Sequence, residues 1–173
     1  MPIVIIGGGV IGSAIAYYLS LQQPGCQVVV LERDPSYAQA SSALSASSIR
    51  QQFSTDINIR ISAYGIDFLR NVGTLLACDG DTPDIGLHEG GYLYLATSAG
   101  EATLRENHAL QQQHGADIAL LSPAQLQERF AWLALHDVVL GSLGLSGEGW
   151  FDGYLLLTAL RKKAQSQGVR YLA

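Results

Sequence analysis

The chain has 173 residues, 48% of them hydrophobic and 14% charged, which suits a packed globular core of one domain or one and a half. Its formal net charge of −5, with no basic stripe, argues against nucleic acid or an anionic membrane as partner. No run reaches the roughly 18 uninterrupted apolar residues of a membrane-spanning helix. The two cysteines, Cys26 and Cys78, have no metal-ligand spacing and read as reduced thiols of a reducing, cytoplasmic compartment.

The first 32 residues organise the rest. An apolar run over 3–6 leads without a break into Gly7-Gly8-Gly9-Val10-Ile11-Gly12. An amphipathic stretch then reaches about residue 21, and a second apolar run over 28–31 closes on Glu32. This is strand, tight turn, helix, strand, acid. Gly7, Gly9 and Gly12 fit G-x-G-x-x-G: the first permits the sharp turn, the second lets a diphosphate approach the backbone, and the third lets the helix pack close to the strand. The diphosphate then lies on the free N–H groups at the positive end of the helix dipole. Glu32 stands 20 positions after Gly12, where an acid accepts hydrogen bonds from ribose hydroxyls. Its charge also repels a 2′-phosphate, which makes NADP the least suitable dinucleotide. The apolar N-terminus lacks the positive n-region of a signal peptide.

In the first helix Ile11, Ala14, Ile15, Tyr18 and Leu19 recur at helical spacing and are expected to face the core, with Pro24-Gly25 ending the helix. A loop follows. Then comes Ser41-Ser42-Ala43-Leu44-Ser45-Ala46-Ser47-Ser48-Ile49-Arg50-Gln51-Gln52-Phe53. Its small side chains allow close approach of a flat group, and its hydroxyls and amides can bind phosphate or ring heteroatoms. It reads equally as a polar surface linker. Arg50 can clamp a carboxylate with its planar fork, or stand solvated at a helix start.

The fingerprint, the Glu32-Arg33 pair and the run from Ala40-Ser41-Ser42 to Arg50-Gln51-Gln52-Phe53 together resemble the FAD-dependent amino-acid oxidase (DAO) superfamily. The branch most similar is that of glycine oxidase, sarcosine oxidase and dimethylglycine dehydrogenase. The resemblance implies an α/β fold: a Rossmann-like FAD-binding domain with part of an α+β substrate domain. It also implies that the cofactor is FAD, held by Gly7, Gly9, Val10, Ile11, Gly12, Glu32, Arg33, Ser41, Ser42, Ala46, Ser47 and Ser48, with Arg50 near the flavin and the substrate entrance. Some members attach flavin covalently through a histidine in this stretch. Residues 40–53 hold no histidine, so non-covalent FAD is expected. Glycine often occupies the middle of the stretch in the family, whereas Ser47 and Ser48 stand here, so a slightly different backbone is expected.

A helix is expected from about 54 to 75, capped by Ser54 or Thr55, with Ile57, Ile61, Tyr64 and Phe68 in the core. Residues 78–84 are turn-rich, and the acids Asp79, Asp81 and Asp84 fail calcium-loop spacing. Residues 90–96 read as a strand. Ser98 and Glu101 suggest a capping box for a helix to about 113, with His108 and His114 facing water. A short strand over 118–121 precedes a helix opened by Ser122-Pro123-Ala124-Gln125, and Trp132 is expected to pack near its end at Phe130. Residues 138–150 carry four glycines and read as strand and turn. Asp152 caps a helix with Leu156, Leu160 and Ala164 inward, its basic trio Arg161, Lys162 and Lys163 suited to the helix dipole, and Gly168 ending it. The family usually has proline where this chain has Gly153. A strand over 169–172 follows.

The expected organisation is residues 1–78 and 150–173 as an incomplete FAD-binding domain and 79–149 as part of a substrate domain. The resemblance covers the whole chain but only about the first half of such a protein, so a piece inactive by itself, with an unpaired sheet edge, is expected. The expected reaction is oxidation of the C–N bond of a small amino acid or N-methyl amino acid by hydride transfer to flavin, giving an imine that hydrolyses. The partner is a small-molecule amine or amino acid, and the oligomeric state stays open. A flavin-binding scaffold or assembly factor with little turnover is the alternative. An NAD-dependent dehydrogenase is permitted by Glu32 and disfavoured by the serine stretch.

Overall fold

The parallel strand pairing that the opening glycine motif demands is present in the computed structural model, which describes residues 2–173. In chain order the elements are β1 (Ile3–Ile6), α1 (Val10–Gln22), β2 (Val28–Leu31), β3 (Ser48–Ile49), α2 (Asp56–Arg70), α3 (Val72–Leu75), β4 (Leu93–Ala96), α4 (Glu101–Gln113), β5 (Ile118–Leu121), α5 (Pro123–Arg129), β6 (Leu140–Gly144), β7 (Gly149–Trp150), α6 (Gly153–Ser166) and β8 (Arg170–Leu172). The architecture is the mixed α/β expected. Packing divides it into two compact units. One comprises residues up to 47, 69–87 and 151–173; the other comprises 48–68 and 88–150. The expected division, 1–78 with 150–173 against 79–149, is one by role; the packing boundary differs, placing 48–68 and Trp150 in the second unit and 79–87 in the first. Among the described residues no helix is long and apolar enough to cross a membrane.

In the first unit three strands lie in the order β1-β2-β8, all parallel, with Ile3 opposite Val28 and Val30 opposite Tyr171. Central β2 buries Val28 and Val30, whereas β1 lies at an edge and leaves Ile6 89% exposed. α1 packs on α6. Its buried face is Gly12, Ser13, Ala16 and Tyr17, not the expected stripe, of which Ile11 and Ile15 are exposed. The cause is steric. A Cβ on Gly12 would stand 1.9 Å from the Gly7 carbonyl oxygen, so only the small-residue face can approach the turn. α6 is capped as expected, Asp152 Oδ1 accepting from the amides of Tyr154 and Leu155, each at 2.9 Å. Leu156, Leu157, Leu160 and Ala164 are buried beneath it, each leucine worth roughly 1.5–3 kcal/mol of apolar burial. The basic trio has specific partners beyond the dipole: Lys162 pairs with Asp81 at 2.6 Å, and Lys163 donates to the Ala77 carbonyl at 2.7 Å. Asp79 and Gly80 both take positive φ, so 78–81 closes as a tight turn with Cys78 and Asp81 paired.

In the second unit β6 is the centre of an antiparallel sheet, order β4-β6-β5, and is buried along its whole length. Its glycines explain themselves: a Cβ on Gly141 would meet Leu126 Cδ2 at 2.8 Å, and one on Gly144 would overlap the Glu148 carboxylate. β3 and β7 form a short antiparallel ribbon. The helix expected over 54–75 breaks at Asn71 into α2 and α3. Its expected core face is also corrected. Ile57, Ile61 and Tyr64 are exposed, and Ile59, Ser62, Ile66 and Leu69 are buried. The helix carries two apolar stripes, and the buried one holds Ser62, which receives Gln51 Nε2 at 3.3 Å. α5 has the expected capping box between Ser122 and Gln125. The box expected at Ser98 and Glu101 is absent: Gly100 occupies the cap, and Glu101 instead accepts from Arg105. His108 and His114 are half-buried rather than facing water. His108 Nε2 lies 3.0 Å from the Ile118 carbonyl oxygen, and His114 Nε2 lies 2.7 Å from Asp56. Trp132 stacks edge-on against Phe130 at 6.3 Å but is 80% exposed.

Candidate functional site: a nucleotide cleft and an arginine pocket

A cleft of 620 Å³ opens in the first unit at the C-terminal ends of β1 and β2. Gly7 turns the chain off β1 with φ +94°, a conformation that costs glycine little. A Cβ on Gly7 or Gly9 would meet nothing within 4 Å, so the space over the turn is open. Gly9 caps α1 without a side-chain hydrogen bond, which leaves the first helical amides without intrahelical acceptors. Ser13, fully buried, donates its hydroxyl to the Gly8 carbonyl at 2.8 Å and fixes the turn from behind.

Glu32 ends the second strand at the cleft wall. Its Oε2 accepts from Gly8 N–H at 2.7 Å and its Oε1 from Asp34 N–H at 2.9 Å. These two bonds, the Asp34 amide first, hold its carboxyl below the usual glutamate range. Glu32 is thus an anchored carboxylate, and each oxygen keeps acceptor capacity for a ribose hydroxyl. Asp34 also lines the cleft. Its carboxyl is lowered too, chiefly by the Ser36 hydroxyl and then by the Ser36 amide.

Of the residues singled out in the sequence, Gly7, Gly9, Val10, Ile11, Gly12, Glu32, Arg33, Ser41 and Ser42 line this cleft together. Ser42 Oγ is buried with no hydrogen-bond partner among the described residues. Such an orphan costs roughly 1–3 kcal/mol unless a ligand atom satisfies it. Bare amides, an anchored acid, an open turn and an orphaned hydroxyl together fit a dinucleotide. Ala46 and Ser47 belong to the same unit but do not line the cleft. Ser47 takes φ +49°, the left-handed conformation that glycine adopts without strain. A Cβ on Gly153 would stand 2.3 Å from Ser47 Oγ. A residue with a Cβ at 153 would therefore require the Ser47 hydroxyl to turn away.

Ser48 and Arg50 fall in the second unit, on the wall of a pocket of 410 Å³. The Arg50 guanidinium lies over the Phe53 ring at 4.8 Å, and its Nε is buried without a partner. Tyr92, Asn58 and Ser62 share the wall, and Ser62 donates its hydroxyl to the Arg50 carbonyl. The backbone just after Arg50 is clamped by Glu148, which is fully buried. Its Oε1 accepts from Gln51 N–H at 2.6 Å and Gln52 N–H at 3.1 Å; its Oε2 accepts from Gln52 Nε2 at 2.9 Å and Tyr92 N–H at 3.2 Å. Ser142 donates to Gln52 Oε1 at 2.7 Å. Sequence reasoning missed this hub and also missed Tyr37, which lines the first cleft. The one available signal was a lone acid, Glu148, inside an otherwise uncharged glycine-rich run. Among the described residues no group of three or more histidine, cysteine or acidic side chains could hold a metal.

The family model described as "FAD dependent oxidoreductase" matches residues 2–173. FAD-dependent oxidoreductase domain-containing protein 1 of Bos taurus is 46% identical, over 98% of this chain and 36% of that protein. Human dimethylglycine dehydrogenase, mitochondrial, is 31% identical, over 95% of this chain and 18% of that protein. Among solved structures, L-proline dehydrogenase from P. horikoshii superposes with a TM-score of 0.82 at 26% identity, over 99% of this chain and 43% of that one. The chain thus spans about a third of the length of the Bos taurus relative it matches, and less of the human one.

Proposed function

Because the chain belongs to the FAD dependent oxidoreductase family, whose cofactor is FAD, we propose that its first unit carries a Rossmann-like nucleotide cleft for the ADP half of that cofactor. The amides of Gly9 to Gly12 receive the diphosphate, Glu32 receives the ribose hydroxyls, and Ser42 donates its orphaned hydroxyl. Arg33 and Ser41 close the cleft, and Ala46, Ser47 and Ser48 continue the cofactor-binding stretch. Binding is non-covalent, since residues 40–53 offer no histidine for attachment.

The reaction we infer for the whole protein is oxidation of the C–N bond of a small amino acid or N-methyl amino acid. FAD, when bound, supplies the hydride acceptor. Two relatives support this substrate class by their names: dimethylglycine dehydrogenase and L-proline dehydrogenase. The observation that carries it in this chain is Arg50, a half-buried guanidinium with an unpartnered Nε on a pocket wall, suited to a carboxylate. Glu148 holds that arginine's neighbours in place. The two free thiols suit a reducing compartment such as the cytoplasm.

The purified protein is expected to be yellow, with a flavin absorption spectrum that bleaches anaerobically on adding dimethylglycine, sarcosine or proline. A colourless protein that takes up no added FAD defeats the reading. The second reading is a flavin-binding scaffold with little turnover, which this chain leaves open because it spans only about a third of the Bos taurus relative's length. Bound flavin that none of these amines bleaches would select it. NAD uptake in preference to FAD would point instead to a dehydrogenase of the nicotinamide type.

A further inference from the structure

The cleft leaves one half-buried cation of its own unit unexplained. Arg161, on α6, is stacked between two tyrosines, its Cζ lying 5.5 Å from the ring centroid of Tyr37 and 5.5 Å from that of Tyr171. No carboxylate forms an ion pair with it among the described residues, and its Nε is buried without a hydrogen-bond partner. A partly desolvated guanidinium lacking an acid is costly, and a chain retains it most readily where an anion is to be attracted.

Both tyrosines lead to the glycine turn. Tyr171 donates its hydroxyl to Ser13 Oγ at 3.1 Å, and Ser13 donates to the Gly8 carbonyl at 2.8 Å. Gly8 N–H in turn donates to Glu32. Tyr37 lines the cleft, is 4% exposed and takes φ +58°, a conformation unusual for an aromatic residue. Its hydroxyl lies 3.1 Å from where a Cβ on Gly8 would stand. Burial raises the Tyr37 phenol; the Arg161 charge lowers it and the Glu32 charge raises it. The guanidinium and the ribose-end acid are therefore felt by the same oxygen, at the wall of the cleft.

We propose that Arg161 is a positioning residue for the nucleotide: a fixed positive charge, held behind the glycine turn by Tyr37 and Tyr171, that favours a diphosphate in the cleft without touching it. The proposal deepens the nucleotide reading above and rests on it. Its signature is selectivity for ligand charge. Removing the guanidinium weakens a diphosphate ligand and leaves an uncharged nucleoside unaffected, whereas a packing role alone weakens both.

The test is titration of the intact protein with ADP and with adenosine at low and high salt, for the native protein, Arg161→Met and Arg161→Lys, with melting temperatures recorded. Arg161→Met is expected to bind ADP about five- to tenfold more weakly at low salt, with the difference shrinking at high salt, and to bind adenosine within about twofold of the native protein. Arg161→Lys keeps the charge and is expected to stay within about twofold for both ligands. Equal loss of ADP and adenosine in Arg161→Met, or no loss of either, overturns the proposal. Where Arg161→Met does not fold, Arg161→Lys decides: native ADP affinity supports the proposal, and tenfold loss at native melting temperature overturns it. A native protein that binds neither FAD nor ADP overturns the nucleotide reading itself, an outcome distinct from the others.

Discussion

In the first unit the cleft wall from Gly7 to Gly12 is almost entirely backbone, shaped by a positive φ and by glycines whose missing Cβ atoms leave room. In the second unit the wall around Arg50 is held by side chains. A buried carboxylate, two glutamines and a serine join segments 90 or more residues apart, Gln52 to Ser142 spanning 90 and Gln51 to Glu148 spanning 97. A backbone-built site tolerates variation around it but no added atoms within it. A hub of buried polar groups tolerates no unmatched donor or acceptor.

That contrast can be broken most directly at Gly12. Gly12→Val places a Cβ 1.9 Å from the Gly7 oxygen, so α1 must move off β1. The expected result is a loss of about 3 kcal/mol in stability, read by thermal melting, and no measurable flavin uptake by titration. Native-like uptake would show that the turn is not the binding element.

Glu148→Gln tests the other side. The neutral amide sets its own N–H₂ against amide donors that a carboxylate now receives. Destabilisation of about 2–3 kcal/mol in urea unfolding is expected, with ADP affinity within about twofold, because no cleft-lining residue belongs to this hub. Loss of ADP binding in folded Glu148→Gln would refute the separation.

The anchored acid makes a smaller, pH-dependent contribution. The Glu32 carboxyl is lowered in the folded protein, so the stability it confers is complete above its ordinary value of 4.5 and fades as the pH falls through the lowered one. Flavin retention, followed by fluorescence, is expected to be flat from neutrality to about pH 5 and to fall in more acid solution. Glu32→Gln is expected to weaken FAD about tenfold at neutral pH and to remove the acid limb. An unchanged limb would assign it to another carboxylate. The smallest effect is at the cap of α6, where Asp152→Ala is expected to cost about 1 kcal/mol and a few degrees of melting temperature, with flavin binding intact.

The two regions were unequally legible in the sequence. Gly7, Gly9 and Gly12 shape the turn through their backbone and Glu32 meets it with a side-chain carboxylate, all at fixed spacing along one strand–helix–strand unit, so their order in the chain is their order in space. Asp152, Ser122 and Gly168 were readable for the same reason, as local chemistry at helix ends. The faces of α1 and α2 were not. Periodicity finds an apolar stripe, but the small residues Gly12, Ser13 and Ala16 decide which face of α1 approaches the sheet. On α2 the second stripe, with Ile59 and Ile66, is the buried one. The Glu148 hub left only a lone acid in an uncharged run as a trace, because its members lie at 51, 52, 92, 142 and 148 and meet only after folding. Tyr37 and Arg161 are similarly distant in sequence and adjacent in space.

The central claim is that a dinucleotide's phosphates lie on the amides that start α1. The direct measurement is a titration of isotope-labelled protein with ADP, followed by amide proton and nitrogen shifts. The account predicts that Gly9, Val10, Ile11 and Gly12 move furthest, with Ser42 and Gly8 next. Saturable binding that leaves these amides in place and shifts residues elsewhere would contradict it.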